Sequence, residues 1–159
     1  MISATERQHI DELQTCEDRS RLVTIAKESQ NPFFLHEYAM SYNWDDGFDI
    51  ADAVADNPNC DLGTALSLFW LAGAESLLAS SAMKSEYNLE WVAFCGKIIS
   101  RITSGYYRLG PVSFEPDLGR VQLYKLQKLG IDPVFYTAFT GVPVSHISGG
   151  PTSRGQHDA

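Results

Sequence analysis

The chain has 159 residues, 44% of them hydrophobic and 11% aromatic, enough for one domain whose core needs no disulfide or metal staple. Its net charge of -8 sits at the front: residues 1–61 carry thirteen acids and four bases, residues 62–159 seven acids and eight bases. Such a surface disfavours nucleic acid and anionic membrane as partners and steers basic proteins toward it. Cys16, Cys60 and Cys95 are odd in number and widely spaced, which argues against a disulfide framework and fits a reducing compartment. Residues 1–18 are polar and acidic, without the order of a signal peptide, so the cytoplasm is the expected location.

The apolar pattern predicts an all-α fold. It is a single-domain compact bundle of six to eight helices over residues 1–140, around a central apolar helix at 62–78, with a flexible tail at 141–159. A first helix begins at Ser3 or Thr5, with Thr5 and Gln8 in capping-box spacing. It shows only Ile10, Leu13 and Cys16 on one side, which places it at the surface. Residues 17–30 form a second, with Leu22, Val23, Ile25 and Ala26 at helical spacing, ended by Asn31-Pro32. A third, from Pro32 to about Tyr42, starts with proline and presents Phe33, Phe34, Leu35, Tyr38 and Ala39 to the core.

Trp44 then plugs the corner before a fourth helix at residues 46–56. Asp45, Asp49, Asp52 and Asp56 are spaced by four, three and four, which puts them on one narrow arc opposite Ile50, Ala51 and Val54. Like charges so placed repel by a few tenths of a kcal/mol per pair, and no lysine occurs between Lys27 and Lys84. The structural reading is a solvated face with Asp45 or Asp46 as N-cap near the positive end of the dipole; Asp52 and Asp56 lie too far along for that. The functional reading is a docking face for a cationic partner, formed by Asp45, Asp46, Asp49, Asp52 and Asp56. It depends on these carboxylates pointing outward together, untied by the protein's own arginines and lysines.

Asp61 is the expected N-cap of the next helix, whose uncharged run over residues 62–74 is shorter than the roughly 20 residues of a membrane span. Gly63 and Gly73 each cost up to about 1 kcal/mol there, which makes sense if neighbouring helices pack close. A turn at residues 80–83 leads to a helix at 85–104, with Lys97 and Arg101 on a wet face and Gly105 as its stop. After a loop at 106–116, an amphipathic helix from 117 or 118 to 129 carries Val121, Leu123, Tyr124 and Leu126. Asp132-Pro133 then opens a short apolar turn at 134–139.

The common enzyme signatures are missing: there is no Gly-rich phosphate loop, no Gly-x-Ser-x-Gly and no Cys-x-x-Cys. His36-Glu37 begins like a zinc-protease helix, but Met40 stands where the second histidine belongs. Cys60 and His36 could pair as nucleophile and base, although a buried cysteine in a packed turn is the commoner arrangement. Asp45 and Asp46 could bind a metal for hydrolysis, but no second ligand cluster accompanies them. A calcium loop counted from Asn43 ends on Val54 instead of glutamate. The expectation is a non-enzyme without cofactor or metal.

Asn43-Trp44-Asp45-Asp46-Gly47-Phe48, Asn57-Pro58-Asn59-Cys60-Asp61-Leu62-Gly63-Thr64-Ala65-Leu66 and Phe69-Trp70-Leu71-Ala72 together resemble a bacterial family, the domain-of-unknown-function family numbered 4274, over roughly residues 33–80. The resemblance implies a small cytoplasmic domain and no particular chemistry. In size and charge the chain is similar to immunity proteins that protect bacteria from toxins, an analogy of type. The expected function is therefore protein binding: an immunity protein that occludes the active site of a cognate protein toxin through its acidic surface. The alternatives are a small metal-dependent hydrolase at Asp45 and Asp46, and a structural or adaptor module.

Overall fold

In the computed structural model, which describes residues 1–79 and 88–143, each of the first three helices is started by a polar side chain standing just outside it. The Ser3 hydroxyl accepts the Glu6 N–H and the Glu6 carboxylate accepts the Ser3 N–H, opening α1 (Ala4–Glu12). The capping box is thus Ser3 with Glu6, two residues earlier than Thr5 with Gln8. Asp18 caps α2 (Arg19–Glu28) and Asn31 caps α3 (Pro32–Ser41). Both helices are shorter than their apolar patterns because the caps lie outside the helical turns.

A 3₁₀ turn, Trp44–Asp46, precedes α4 (Asp49–Asp56), so the predicted helix at 46–56 starts three residues late. Neither Asp45 nor Asp46 caps it. Phe48 holds the N-cap position without a side-chain bond, and Gly47 at φ 111 makes the bend. The inner face of α4 is as expected, with Ile50, Ala51 and Val54 buried.

Asp61 caps α5 (Leu62–Leu71) as predicted, its carboxylate accepting the Thr64 N–H. The central helix does not run on to residue 78. It stops at Ala72, where Gly73 turns to φ 69, the Ala74 N–H returns to the Phe69 carbonyl and the Gly73 N–H to the Trp70 carbonyl. That is a Schellman stop, which a glycine beyond the last helical turn makes cheap. A short α6 (Glu75–Ala79) follows, and α7 (Leu89–Thr103) lies within the predicted 85–104 span. The turn expected at 80–83, the start of the helix at 85 and the tail from residue 144 lie outside the described residues.

α2 packs along α4 and α5 along α7, while α3 joins α1, α4 and α5. The core between them holds Phe34, Leu35 and Tyr38 of α3, Ile50 and Val54 of α4, Leu66, Leu68 and Phe69 of α5, and Ile98 of α7. Burying each large apolar side chain contributes about 1.5–3 kcal/mol. With eight α-helices and no strand among the described residues, the fold is the predicted all-α bundle around α5. No helix among them is long and apolar enough to cross a membrane.

After α7 the chain returns over the start of α5. The Leu62 N–H reaches the Arg108 carbonyl at 2.8 Å, the Val112 N–H reaches the Asp61 carboxylate at 2.9 Å, and the Tyr107 hydroxyl donates to the Ala55 carbonyl at 3.0 Å. Gly63 serves this crossing: a Cβ there would strike the Val112 backbone. The close neighbour of Gly63 is therefore a loop, and Gly73 is a helix stop, so neither marks the helix contact the sequence suggested. α8 (Arg120–Lys128) departs most from expectation. Of Val121, Leu123, Tyr124 and Leu126, Leu126 alone is buried. The turn at 134–139 is a 3₁₀ turn, Pro133–Phe135, and Phe139 pairs with Phe114 in a single bridge. Gly141 and Val142 are still tied to the fold, through Ser113 Oγ and the Gly110 carbonyl.

Gly63→Ala is expected to destabilise the protein by about 1–3 kcal/mol in urea denaturation, although alanine is the better helix former by about 1 kcal/mol. Asp61→Ala, which strips two buried N–H groups of their acceptor, is expected to cost about 3 kcal/mol. Wild-type stability in both variants would contradict the crossing as the anchor of the fold.

Candidate functional site

The two halves of the sequence motif do different work. In the second, Asn57 is a clamp: its side-chain N–H groups donate to the Ala26 and Ser29 carbonyls, both at 2.8 Å, and its Oδ1 accepts the Asn59 N–H at 2.8 Å. It thereby satisfies carbonyls at the end of α2 that no helical N–H can reach. Asp61, only 4% exposed, adds the crossing described above. Burial raises its carboxyl above the ordinary value, while the Val112 and Thr64 N–H groups pull the other way.

In the first half, Trp44 sits in a nest of rings, 4.9 Å from Tyr42, 5.9 Å from Phe94 and 6.0 Å from Phe48. The indole N–H groups of Trp70 and Trp91 reach the Phe135 and Ala72 carbonyls at 2.8 and 2.6 Å. That of Trp44 is buried without an acceptor among the described residues, a cost of about 1–3 kcal/mol that its ring contacts must offset.

The aspartate stripe is not bare. Arg19 of α2 holds Asp49 with two hydrogen bonds and lies 3.7 Å from Asp46. Lys97 of α7 bridges Asp52 at 2.5 Å and Asp56 at 3.1 Å, and Arg101 reaches Asp56 at 2.7 Å. Asp45 alone of the five makes no ion pair among the described residues. The Arg19 hydrogen bonds hold the Asp49 carboxyl below its usual range. Burial would raise that of Asp56, but hydrogen bonds from Arg101 and Lys97 outweigh it and the net shift is downward. The premise of five outward, untied carboxylates is thus corrected: four of them face cations of this same chain. Nor do Lys97 and Arg101 lie on a wet face, since their side chains are 27% and 25% exposed. A sequence signal for the arrangement existed. Asp52 and Asp56 stand four apart on one helix and Lys97 and Arg101 four apart on another, two ladders of matching pitch.

Around the start of α4 the structure opens a cleft of about 600 Å³, lined by Asp46, Gly47, Phe48, Asp49, Asp52, Glu90, Ala93, Phe94 and Lys97. Its rings are Phe48 and Phe94, with centroids 5.2 Å apart. Four carboxylates and one ammonium group share its lining. It therefore brings together three of the predicted site residues, Asp46, Asp49 and Asp52, and leaves Asp45 and Asp56 outside. Glu90, Phe48 and Phe94 join them, and the sequence reading had given these no role at the site. Such a cleft suits a cationic side chain, its stem against the rings and its head among the carboxylates.

The other candidate residues are separated. His36 Nδ1 lies 3.4 Å from Thr64 Oγ1, and burial lowers its pKa, favouring the neutral ring. The Cys60 Sγ is directed to the Asp61 carbonyl at 3.8 Å, and burial pushes the thiol up, the opposite of an activated nucleophile. Each is thus directed to a different partner. Burial also pushes the Cys95 thiol up, to about 12. Cys16, Cys60 and Cys95 are all free thiols. Among the described residues no three His, Cys, Asp or Glu side chains converge closely enough to hold a metal ion.

Residues 30–103 match a family described as domain of unknown function DUF4274. No curated protein and no solved structure matches the chain.

Asp49 and Asp56 have folded-state pKa values below their unfolded ones. Their pairing therefore stabilises above the ordinary carboxylate value of about 4 and is lost as pH falls through the lowered values. Lys97→Ala is expected to cost about 1 kcal/mol or less at neutral pH, the pairs being partly exposed, and to make stability fall less steeply on acidification. Denaturant unfolding across a pH series checks both, and an unchanged acid limb would count against the pairing.

Proposed function

We propose that this chain, whose residues 30–103 match the DUF4274 family, is a protein-binding module. Most concretely, it is an immunity protein that neutralises a cognate bacterial toxin in the cytoplasm by occluding the toxin's active site. One observation carries this reading: the Asp46-Gly47-Phe48 turn lines an open cleft with aromatic rings and an excess of carboxylate, instead of filling the core. The partner group that complements it is an exposed arginine or lysine on the toxin, its charge met by Asp46, Asp52 and Glu90 and its methylenes by Phe48 and Phe94.

The internal pairing changes how such a partner is caught. Four of the five carboxylates of the stripe face three cations, Arg19, Lys97 and Arg101, so most of the long-range field is cancelled at source. Recognition then rests on short-range fit in the cleft more than on steering, and the association rate depends only modestly on salt. Lys97 has a second task in this reading. Held between Asp52 and Asp56, it keeps the cleft wall in place while leaving Glu90 and Asp46 on the rim to choose the partner.

The test begins with the reading frame directly upstream of the gene, expressed with and without this protein. Its product is expected to arrest growth, and the wild-type chain to relieve the arrest. Glu90→Lys, on an exposed position of α7, is expected to leave the melting temperature unchanged and weaken binding at least tenfold, about 1.4 kcal/mol. Asp45→Asn, outside the cleft, is expected to bind as wild type. A Glu90→Lys chain that protects and binds as well as wild type would remove the cleft from the account.

A further inference from the structure

Over residues 112–117 the side chains alternate: Val112 and Phe114 are buried, while Ser113, Glu115 and Asp117 are exposed. That is the period of a strand. Phe114 makes it one on a single side, exchanging both of its backbone hydrogen bonds with Phe139, at 3.0 and 2.9 Å. In such a pair the flanking residues turn their backbone groups the other way. The N–H and C=O groups of Ser113 and Glu115 accordingly make no hydrogen bond among the described residues. They form an unpaired strand edge, the kind of surface on which a further chain can be added.

Two clefts adjoin along this segment. One, of about 410 Å³, lies between residues 111–113 and the start of α3; the other, of about 390 Å³, has residues 113–118 on one side and Met40, Trp70 and Leu71 of α3 and α5 on the other. His36 and Ser113 line both. Leu71 is 50% exposed, so apolar area stands uncovered there. Glu115 and Asp117, two residues apart on the exposed face of the strand, make no ion pair among the described residues. We propose that this edge takes up an extended segment of a partner protein as an added strand, in which basic residues alternate with apolar ones. The basic residues meet Glu115 and Asp117 on one face of the pair, and the apolar ones share the face of Phe114, beside Met40, Trp70 and Leu71. A second copy of this chain is a poor occupant, because its own edge would set acid opposite acid. The site is independent of the cleft at the start of α4, and its test uses no toxin.

The probe is the fluorescently labelled peptide acetyl-Lys-Val-Arg-Val-Lys-Val-amide, titrated with the purified full chain in about 0.05 M salt and followed by anisotropy. Binding with a Kd of about 100 µM or tighter is expected. The double variant E115K/D117K, at two exposed positions, should melt as wild type and bind the peptide at least tenfold more weakly. Two further peptides separate strand pairing from charge alone, one N-methylated on its valines and the other on its lysines and arginine. Successive N–H groups of a strand point to opposite edges, so one of these peptides should lose at least tenfold in affinity and the other keep it. No binding at about 1 mM would overturn the proposal, as would methylated peptides that bind alike or a double variant that binds like wild type. So would a chain that dimerises in sedimentation and whose dimer excludes the peptide, which would assign the edge to a second copy.

Discussion

A single buried carboxylate ties the front of the molecule to its back. Asp61 receives the Thr64 N–H at 3.1 Å and the Val112 N–H at 2.9 Å, two donors that neither a helical turn nor solvent would otherwise satisfy. One bond starts the central helix and the other locks the returning loop across it, so the same atom group decides where α5 begins and what covers its first turn. Gly63 and Gly110 are small because this crossing leaves no room for a side chain at either place. Asn57, four residues earlier, performs the matching service for the end of α2. Between them these two polar residues, both nearly solvent-free, fix the relative placement of α2, α4 and α5 by directional bonds, and the apolar core fills the frame.

The charged face of α4 follows a similar logic at the surface. Acids four apart on one helix are a liability alone and an asset beside cations four apart on another. Lys97 and Arg101 supply that partner from α7, and Arg19 from α2, so the face that repels itself in isolation helps hold three helices together. What remains outward is a pocket bounded by the glycine turn, in which rings and carboxylates lie side by side. The same few aspartates thus pair with the chain's own cations and line an open cleft.

The sequence was most readable where local chemistry is decisive. The cap at Asp61, the proline at the start of α3 and the buried stripe of Ile50, Ala51 and Val54 all follow from propensity and period. It was least readable where the answer lay far along the chain. That Gly63 makes room for Val112, that Asp52 is met by Lys97, and that α8 turns Val121 and Tyr124 to solvent are facts about residues tens of positions apart. The break at Gly73 was misread because glycine within an uncharged run looks the same whether it admits a neighbour or stops a helix; only its positive φ separates the two. At the site, the stripe was visible and its compensation was not, since a helical wheel has no means of showing what stands across from it.

The family match ends where the molecule is still unfinished. Phe135 stacks on Phe69 at 4.6 Å, Tyr107 and Val112 seal the top of α5, and Leu22 and Ala26 supply carbonyls to Tyr38 and Asn57 from before residue 30. Excised at its recognisable borders, the segment would bare a phenylalanine, strand a carboxylate and open two sides of the hydrophobic interior to water. The segment that the family match covers is therefore shorter than the segment whose contacts close this core.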